Sequence, residues 1–567
     1  MTGIRSPITR RIATASAAAA LAAAGLMFFA ALAPGAVGLV VLDPGGPITL
    51  EPVLVVVLGI ALLMLARGLW RGTRRAAHLG ISGLVIAAVA AVSLGHGILA
   101  AVELTSACGL LAVRPAFRRG TAHEGTLRPA LLAGTAALGA WLAASIALLA
   151  ADQVTGARQA ALAAGGWLLD GAWWLRSDAV ISLTLDGLVL AALAGGGLLL
   201  RALLRPAVAH EGHSAAEHAR AAAVVAEHAC DSLDPFALRA DKAFHFAHGG
   251  MLAYRTIGGT AVVSGEPIGP PASGPAILQS FAAESQARGW DVVLTGASGR
   301  HLDAYRRSGF RTLCIGEEAV VDPATFSLQG RRMRSVRQAI NRQQRLGWSV
   351  ELVAGDRLAA ATVADLADVE RRWRAAQPRL TGFAMTLGRL WGAPEDGRSL
   401  YALGRDPEGR VRAFVRFAAY RGGLSLDVMR RVGETPNGLT EALVAGAIQH
   451  AADHGLHAVS LNFAGFAHLF GDAEPATVRV RATRWLMGRA RGRFQQERLV
   501  MFNEKFGPRW ERRHLIYQNR LTLPIAGLRV LQAEAYVRSP RPRRLTARWE
   551  PRTQPVALAV PTALPAP

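Results

Sequence analysis

The sequence predicts two architectures in one chain of 567 residues: a multi-pass α-helical membrane domain and, after it, an α/β domain. Long apolar stretches are confined to about the first 205 residues. Beyond them, apolar residues alternate as in strands or recur at helical spacing. The formal net charge of +22 is too basic for an ordinary soluble enzyme, so it indicates an anionic partner.

Six apolar stretches are each close to the length that crosses a bilayer. They cover about residues 13–42, 50–66, 78–95, 97–113, 129–151 and 179–200. Arginine precedes the first stretch, follows the sixth and fills alternate loops, whereas the other loops lack it or offset it with aspartate. This distribution predicts a multi-pass protein of the cell membrane, with both termini and the α/β domain in the cytoplasm.

Polar residues in and after the membrane part offer few candidate sites. Glu103 lies inside the fourth apolar stretch, where an ionisable group is a functional candidate, although it could equally pair with a neighbouring helix. The region of about 206–229 predicts a linker helix. It carries three histidines without the H-E-x-x-H spacing of a metal site: His210, His213 and His218. The three cysteines are scattered, so we expect neither a metal nor a disulfide framework.

The remaining chain repeats one order of elements. Paired strands, a helix, a buried strand and a further helix occupy about residues 230–325, and a similar order recurs over about 347–521. This order predicts tandem acetyltransferase-like (GNAT-like) α/β folds. A basic helix at 328–346 joins them, and the proline- and arginine-rich residues 522–567 predict a disordered tail.

The joining helix has an arginine face. Six arginines and no acid occupy residues 331–346. On a helical wheel most of them fall within roughly a 140° arc. These are Arg331, Arg334, Arg337, Arg342 and Arg345. The apolar residues opposite are Met333, Val336, Ala339, Ile340 and Leu346. A surface that binds a polyanion is one interpretation, and a solvated charged face is the other.

Several motifs then carry a resemblance. They are GEPIG (265–269), GEEAVVD (316–322), FSLQGRRMRSVRQAINR (326–342), LDVMRR (426–431), TPNGLTEALV (435–444) and FNEKFGPRWERRHLIY (502–517). In this order the chain resembles, over about residues 230–520, the soluble half of the bacterial phosphatidylglycerol aminoacyltransferases, the multiple peptide resistance factors. The membrane half departs from the best-known members, which have about twice as many spans.

The resemblance implies an enzyme that transfers an aminoacyl group from aminoacyl-tRNA to a headgroup hydroxyl of phosphatidylglycerol. Such a transfer reduces the negative charge of the membrane and confers resistance to antimicrobial peptides. It implies a cytoplasmic-face reaction with aminoacyl-tRNA, phosphatidylglycerol and the membrane as partners, and no cofactor. A basic domain anchored to the membrane fits two anionic substrates independently of the resemblance.

The resemblance also implies site residues. The D-x-x-R pair of the family maps to Asp427 and Arg430, where Asp427 binds the amino group or orients the nucleophile, and Arg430 holds a phosphate or the ester carbonyl. A structural salt bridge at the strand end is the alternative. Glu441 and Asn462 are further catalytic candidates, although the helix dipole and turn chemistry also account for them.

Binding residues are expected on two segments. The candidates for tRNA or lipid binding are Arg331, Arg334, Arg337, Arg342, Lys505 and Arg512. Lys242 and Lys505 are the only lysines, and both lie in motifs that resemble the family, which suggests that a compact ammonium is needed at each position.

Two alternatives belong to other classes. An acyl-CoA-dependent N-acetyltransferase needs a phosphate-binding loop, and the only formal match, RLTGFA at 379–384, follows a helix rather than a strand. A non-enzymatic lipid flippase is the second, although the six spans show no clear internal repeat. The sequence leaves open the amino acid (lysine, alanine or arginine) and the lipid acceptor.

Overall fold

The computed structural model describes residues 65–93 and 97–117 with short gaps, and residues 212–376, 382–465, 493–518 and 522–537. The chain divides into two units. One comprises residues 1–208, of which only the ranges above are described, together with Glu284–Trp290, and the other comprises the remaining residues. Three of the six predicted spans (the first, fifth and sixth) lie outside the described residues, as does the second except for residues 65 and 66.

The first unit contributes two described helices, α1 (Arg74–Ser93) and α2 (Gly97–Ala112), which pack against each other. The third and fourth predicted spans fall on them. Helix α2 is about 24 Å long at 1.5 Å per residue, and α1 begins with two arginines. Among the described residues, none of the helices has the combination of length and apolar character that crossing a membrane requires. Glu103 lies on α2 with its side chain buried.

The second unit is α/β. Its first strands and helices, in chain order, are α3 (Ala215–His228), β1 (Ala243–Ala247), β2 (Gly250–Ile257), β3 (Thr260–Ser264), α4 (Gly274–Ala287), β4 (Asp291–Ala297), α5 (Leu302–Arg307) and β5 (Arg311–Val321). Those that follow are α6 (Arg334–Arg345), β6 (Ser349–Ala354), α7 (Ala360–Ala376), β7 (Leu400–Arg405), β8 (Val411–Tyr420), β9 (Gly423–Arg431), α8 (Leu439–Asp453) and β10 (Ala458–Gly465). The last are α9 (Arg493–Glu504), β11 (Arg509–Tyr517) and α10 (Leu523–Ala533).

All eleven of these strands form one mixed sheet in the order β1-β2-β3-β4-β11-β5-β10-β9-β8-β7-β6. Each half of the sheet contains antiparallel strands, then a helix, then a parallel strand: β3 and β4 are joined through α4, and β9 and β10 through α8. This repetition is the predicted GNAT-like order. Because β5 runs antiparallel to β10 and, like β4, antiparallel to β11, the carboxyl ends of the two parallel pairs point to opposite edges of the sheet.

Two features differ from expectation. Strand β11, which the sequence places in the second half, lies between β4 and β5 of the first half. The predicted disordered tail begins too early, because Thr522 and the residues after it form α10, which buries Ala526 and Ala533. The residues of the tail beyond 537 lie outside the described part of the chain.

A buried charge cluster joins β11 to its surroundings. The guanidinium of Arg513 donates to the Glu318 carboxylate on β5 (Nε–Oε2 2.7 Å) and to both oxygens of Asp231 (2.9 and 3.0 Å). Ser460 of β10 donates to the same Glu318. Burial works against ionising Asp231, but the charge and hydrogen bonds of Arg513 lower its pKa. Arg513 therefore pairs with both buried acids at the junction of the two halves, and Arg300 pairs with Asp231 as well (3.0 Å).

Arg513→Leu should destabilise the protein by about 3–5 kcal/mol, because it removes the guanidinium that pairs with the buried Glu318 carboxylate and leaves Asp231 with the half-exposed Arg300, 3.0 Å away. Denaturant unfolding of the full-length protein measures the loss. Arg512→Leu is the matched control: its side chain is exposed and lies 4.0 Å from Glu317, so its effect should stay within about 0.5 kcal/mol. Equal losses in the two variants would contradict the assignment.

Candidate active site

The strands β9 and β10 separate at their carboxyl ends. Their parallel pairing ends at Ser460 and Ser425, and both strands then become irregular. Asp427 is the extra residue of a β-bulge in β9, and Asn462 adopts a positive φ of 77° in β10. The Asn462 amide nitrogen donates to the Leu426 carbonyl across the gap (3.1 Å). Such a separation of parallel strands is where α/β sheets bind ligands.

The gap is bordered by residues 382–393, which we call the site loop. The Asn462 amide also donates to the carbonyl of Met385 in this loop (3.2 Å), and the amide of Leu387 donates to Asp427 Oδ1 (3.0 Å). At the start of the loop, the amide of Phe383 donates to the Glu534 carboxylate (2.6 Å). Both strand ends and α10 therefore fix the loop.

The first pair of predicted catalytic residues is separated. The Asp427 carboxylate is fully buried, and its second oxygen accepts from Arg416 Nη1 (2.7 Å). Arg430 follows the bulge: its Nε donates to Glu370 of α7 (2.8 Å), and its guanidinium lies 3.5 Å from the centre of the Trp373 ring. In this conformation Asp427 anchors the site loop, and neither a hydrogen bond nor a salt bridge joins it to Arg430.

Two other predicted residues are brought together. Lys505 Nζ donates to Glu441 Oε1 (2.7 Å), at the first turn of α8, and both side chains are partly exposed. Asn503 at the end of α9 contacts the carbonyl of Leu461 on β10 (3.5 Å), which holds the lysine beside this strand. Because α8 begins where β9 ends, the Glu441–Lys505 pair lies at the same sheet edge as Asn462 and offers one carboxylate and one ammonium to a ligand.

The arginines of α6 lie on the side of the helix opposite its buried apolar residues, as predicted. Val336 and Ala339 are buried, and Gly438 at the start of α8 has a φ of 93°, with no room for a side chain beside Ala339. The exposed arginines of this segment have no carboxylate within salt-bridge distance among the described residues: Arg331, Arg332, Arg334, Arg342 and Arg345. Arg337 differs, because its guanidinium donates to the carbonyls of Leu328 and Gly330.

Two details of this prediction are corrected. Leu346 is exposed rather than part of the apolar face, because α6 ends at Arg345 and Leu346 is its C-cap. Arg331 precedes the helix, whose first residue is Arg334. Arg512, predicted for binding, is exposed on β11, whereas its neighbour Arg513 is buried in the junction cluster.

Sequence reasoning missed the charges beneath the site loop. Arg416 on β8 is fully buried, and its Nη2 donates to Asp396 Oδ1 (2.9 Å) while its Nη1 binds Asp427. Asp396 also accepts from Arg389 Nε (2.9 Å). The available signal was a charged residue inside the apolar run of β8, VRAFVRFAAY, but its partners are distant in sequence.

Lys242 is buried beside the same loop. Its Nζ donates to the Phe236 carbonyl (2.7 Å) and to Ser264 Oγ (2.6 Å), and it lies 4.6 Å from the centre of the Phe383 ring. Burial lowers the pKa of Lys242 to about 7. Its role in the described structure is to tie β3 to the neighbouring turn. No cluster of three potential metal ligands occurs in the described ranges.

Comparison with known proteins identifies relatives of this unit. The family described as phosphatidylglycerol lysyltransferase, C-terminal, matches residues 222–517. The lysylphosphatidylglycerol biosynthesis bifunctional protein LysX of Mycobacterium marinum is 35% identical over 319 residues, which are 55% of this chain and 29% of that protein. The LysX protein of Mycolicibacterium vanbaalenii is 36% identical over 319 residues, which are again 55% of this chain and 29% of that protein. The chain thus spans less than a third of the length of these relatives.

Two solved structures are similar to this unit. The structure of L-PGS from Bacillus licheniformis matches with a TM-score of 0.50 and 22% identity, over 58% of this chain and 98% of that chain. The C-terminal domain of a putative lysylphosphatidylglycerol synthetase from Agrobacterium fabrum gives a TM-score of 0.49 and 22% identity. The match covers 57% of this chain and 98% of that chain. At this identity the first match establishes a shared fold.

The buried amine of Lys242 should make stability depend on pH. The unfolded chain binds this proton up to the ordinary lysine pKa, while the folded chain releases it above about pH 7. Stability should therefore rise between pH 7.5 and 9 by up to about 1.4 kcal/mol per pH unit relative to Lys242→Met. Unfolding free energies of both proteins measure the difference. Ser264→Ala keeps the amine and should keep the slope, and parallel curves for the native protein and Lys242→Met would refute the prediction.

Proposed function

The chain belongs to the phosphatidylglycerol lysyltransferase family through its C-terminal region, and from this premise we propose that it transfers an aminoacyl group from aminoacyl-tRNA to a headgroup hydroxyl of phosphatidylglycerol. The family match over residues 222–517 carries the proposal, since it covers both halves of the sheet and the strand inserted between them. The product would reduce the negative charge of the membrane.

The charge distribution supports two anionic substrates. Helix α6 presents arginines that have no acidic partner among the described residues. It packs against α8, whose first turn carries Glu441. A nucleic acid that follows α6 would bring its end towards the sheet edge where β9 and β10 separate. Arginines that neutralise phosphates release counterions, which favours binding of tRNA.

The transfer needs three functions from the site. The lipid hydroxyl oxygen attacks the ester carbonyl, its proton passes to an acceptor, and the 3′ oxygen of the tRNA leaves with a proton. Glu441 is suited to accept the proton or to bind the α-ammonium of the amino acid, and Lys505 to stabilise the negative charge on the ester oxygen. Asp427 acts through the site loop, since both its oxygens are already bonded.

The acyl-CoA alternative lacks a phosphate-binding loop at RLTGFA. In the described part of this segment, the backbone amides of Phe383 and Ala384 both donate to the Glu534 carboxylate (2.6 and 3.2 Å). A pyrophosphate would need these donors and would meet a buried acid in their place. This observation favours the aminoacyl transferase.

Localisation extends the proposal. A lipid acceptor requires the α/β unit to work at a membrane surface, and the arginine distribution of the first 205 residues supports the cytoplasmic side as that surface. We therefore propose a multi-pass protein of the cell membrane, with Glu103 outside the reaction.

Expression of the full-length chain in bacteria that lack aminoacylated lipids should yield a new aminoacyl-phosphatidylglycerol, detected by lipid mass spectrometry. Glu441→Gln is nearly isosteric and removes the proposed acceptor, so it should reduce the product formed per protein by about 10²-fold or more. Glu434→Gln, in the exposed turn before α8, is the matched control and should remain active. A native chain that forms no aminoacyl lipid would refute the function.

Replacing Arg334 and Arg342 by glutamine should weaken binding of aminoacyl-tRNA several-fold and flatten its dependence on salt by up to about two in the log–log slope, since two phosphate contacts are lost. Titration of the purified protein with labelled tRNA at several salt concentrations measures both. The control replaces Arg371 and Arg372 of α7, which pair with Asp368 on another face. Unchanged tRNA affinity in the α6 variant would assign this face to another role.

A further inference from the structure

Two buried histidines extend the charge network beneath the site loop. His213 Nδ1 lies 2.7 Å from the carbonyl oxygen of Lys242, and His213 Nε2 lies 3.0 Å from His218 Nδ1. His218 Nε2 in turn lies 2.7 Å from Glu395 Oε1. The two rings are stacked with centroids 5.1 Å apart. Three hydrogen bonds thus run in series from a backbone carbonyl to a carboxylate.

Counting hydrogens along this series fixes the charge of the pair. A carbonyl oxygen and a carboxylate oxygen only accept, so His213 Nδ1 and His218 Nε2 must each carry a hydrogen. The hydrogen bond between His213 Nε2 and His218 Nδ1 requires one more. Three hydrogens on two imidazole rings give the pair one positive charge.

Glu395 is ionised in this arrangement. Its Oε1 also accepts from Arg389 Nη2 (2.6 Å). Burial works against ionisation, but the hydrogen bond from His218 and the charge of Arg389 lower the pKa of Glu395. Burial lowers the pKa of His213.

Among the contacts that the structure describes, that proton balances the charges of the network. Its anions are Glu395, Asp396 and Asp427, and its other cations are Arg389 and Arg416. These side chains are almost wholly inaccessible to solvent, and buried charges are tolerated when they are paired. Without the histidine proton, three carboxylates would share two guanidinium groups.

The same network holds the site loop. Arg389 belongs to the loop, its carbonyl accepts from Arg416 Nη1 (2.7 Å), and its Nη1 donates to the Leu238 carbonyl (2.8 Å). The loop amide of Leu387 bonds to Asp427. Helix α3, which carries His218, is therefore connected through Glu395 and Arg389 to the loop that borders the candidate site.

We propose that His213 and His218 act as one singly charged positioning unit, which keeps the site loop in place for the transfer. Its importance for catalysis rests on the proposed function, whereas the shared charge rests on the hydrogen-bond geometry alone. The groups facing the pair are the Lys242 carbonyl, the Phe244 ring, Glu217 and Arg389 around His213, and Glu395 beside His218.

The shared charge determines the direction in which protein stability changes with pH. In the unfolded chain, both histidines are neutral once the pH exceeds the usual range of histidine, about 5–8. The folded pair still holds one proton there, because its hydrogen bonds require it. From neutral pH upwards, stability should therefore fall as the pH rises through the titration of the pair. The site loop should loosen over the same range.

The test uses the full-length protein and its variants His218→Gln and Glu395→Gln. Thermal unfolding between pH 6 and pH 9 reports the charge without any substrate. Native protein should lose melting temperature towards pH 9 relative to both variants, because His218→Gln cannot hold the additional proton and Glu395→Gln no longer requires it. Curves for the native protein and Glu395→Gln that stay parallel across this range would overturn the shared charge.

The second measurement is transfer of the aminoacyl group to phosphatidylglycerol vesicles. His218→Gln should lower kcat about ten- to hundredfold at pH 7 with little change in KM for lipid. His218→Lys, which keeps a charge beside Glu395, should recover much of the rate. Native kcat in a folded His218→Gln protein would overturn the positioning role. A native chain without any transfer would instead refute the proposed function and leave the unfolding curves valid.

Discussion

The guanidinium of Arg416, buried in the middle of β8, is the interaction on which the arrangement of the second half depends. A buried guanidinium is costly unless its donors meet acceptors, and here Nη1 and Nη2 donate to Asp427, Asp396, Ser399 and the carbonyl of Arg389. Because these partners come from a strand bulge, a 3₁₀ turn and the site loop, satisfying one side chain fixes three segments. The bulge at Asp427 is part of this requirement, since it supplies the carboxylate at the point where β9 and β10 separate.

A parallel requirement joins the two halves. Arg513 compensates Asp231 and Glu318 between β4 and β5, so the final strand of the unit completes the sheet of the first half. The two halves then share one continuous sheet, and their crossover units open to opposite edges. At the second edge, α6 packs against α8 and α9 packs against β10.

The local patterns were predictable from sequence. The arginine face of α6 depends only on helical spacing within twelve residues, and the structure buries Val336 and Ala339 as that spacing requires. The repeated order of strands and helices was likewise predictable. The resemblance implied Asp427 and Arg430 as a D-x-x-R pair, but in the structure Arg430 pairs with Glu370 of α7, and Asp427 pairs with Arg416 on the neighbouring strand.

The sequence by itself determined the α/β class of the second unit, the basic helix between its halves and the residue types available for a transfer between anionic substrates. Only the tertiary structure decided which charges are paired: Lys505 with Glu441, Arg416 with Asp427 and Asp396, and His218 with Glu395. The reason is physical. Helical and strand periodicity follow from contacts between near neighbours in the chain, whereas the compensation of a buried charge depends on which distant segments are folded against it.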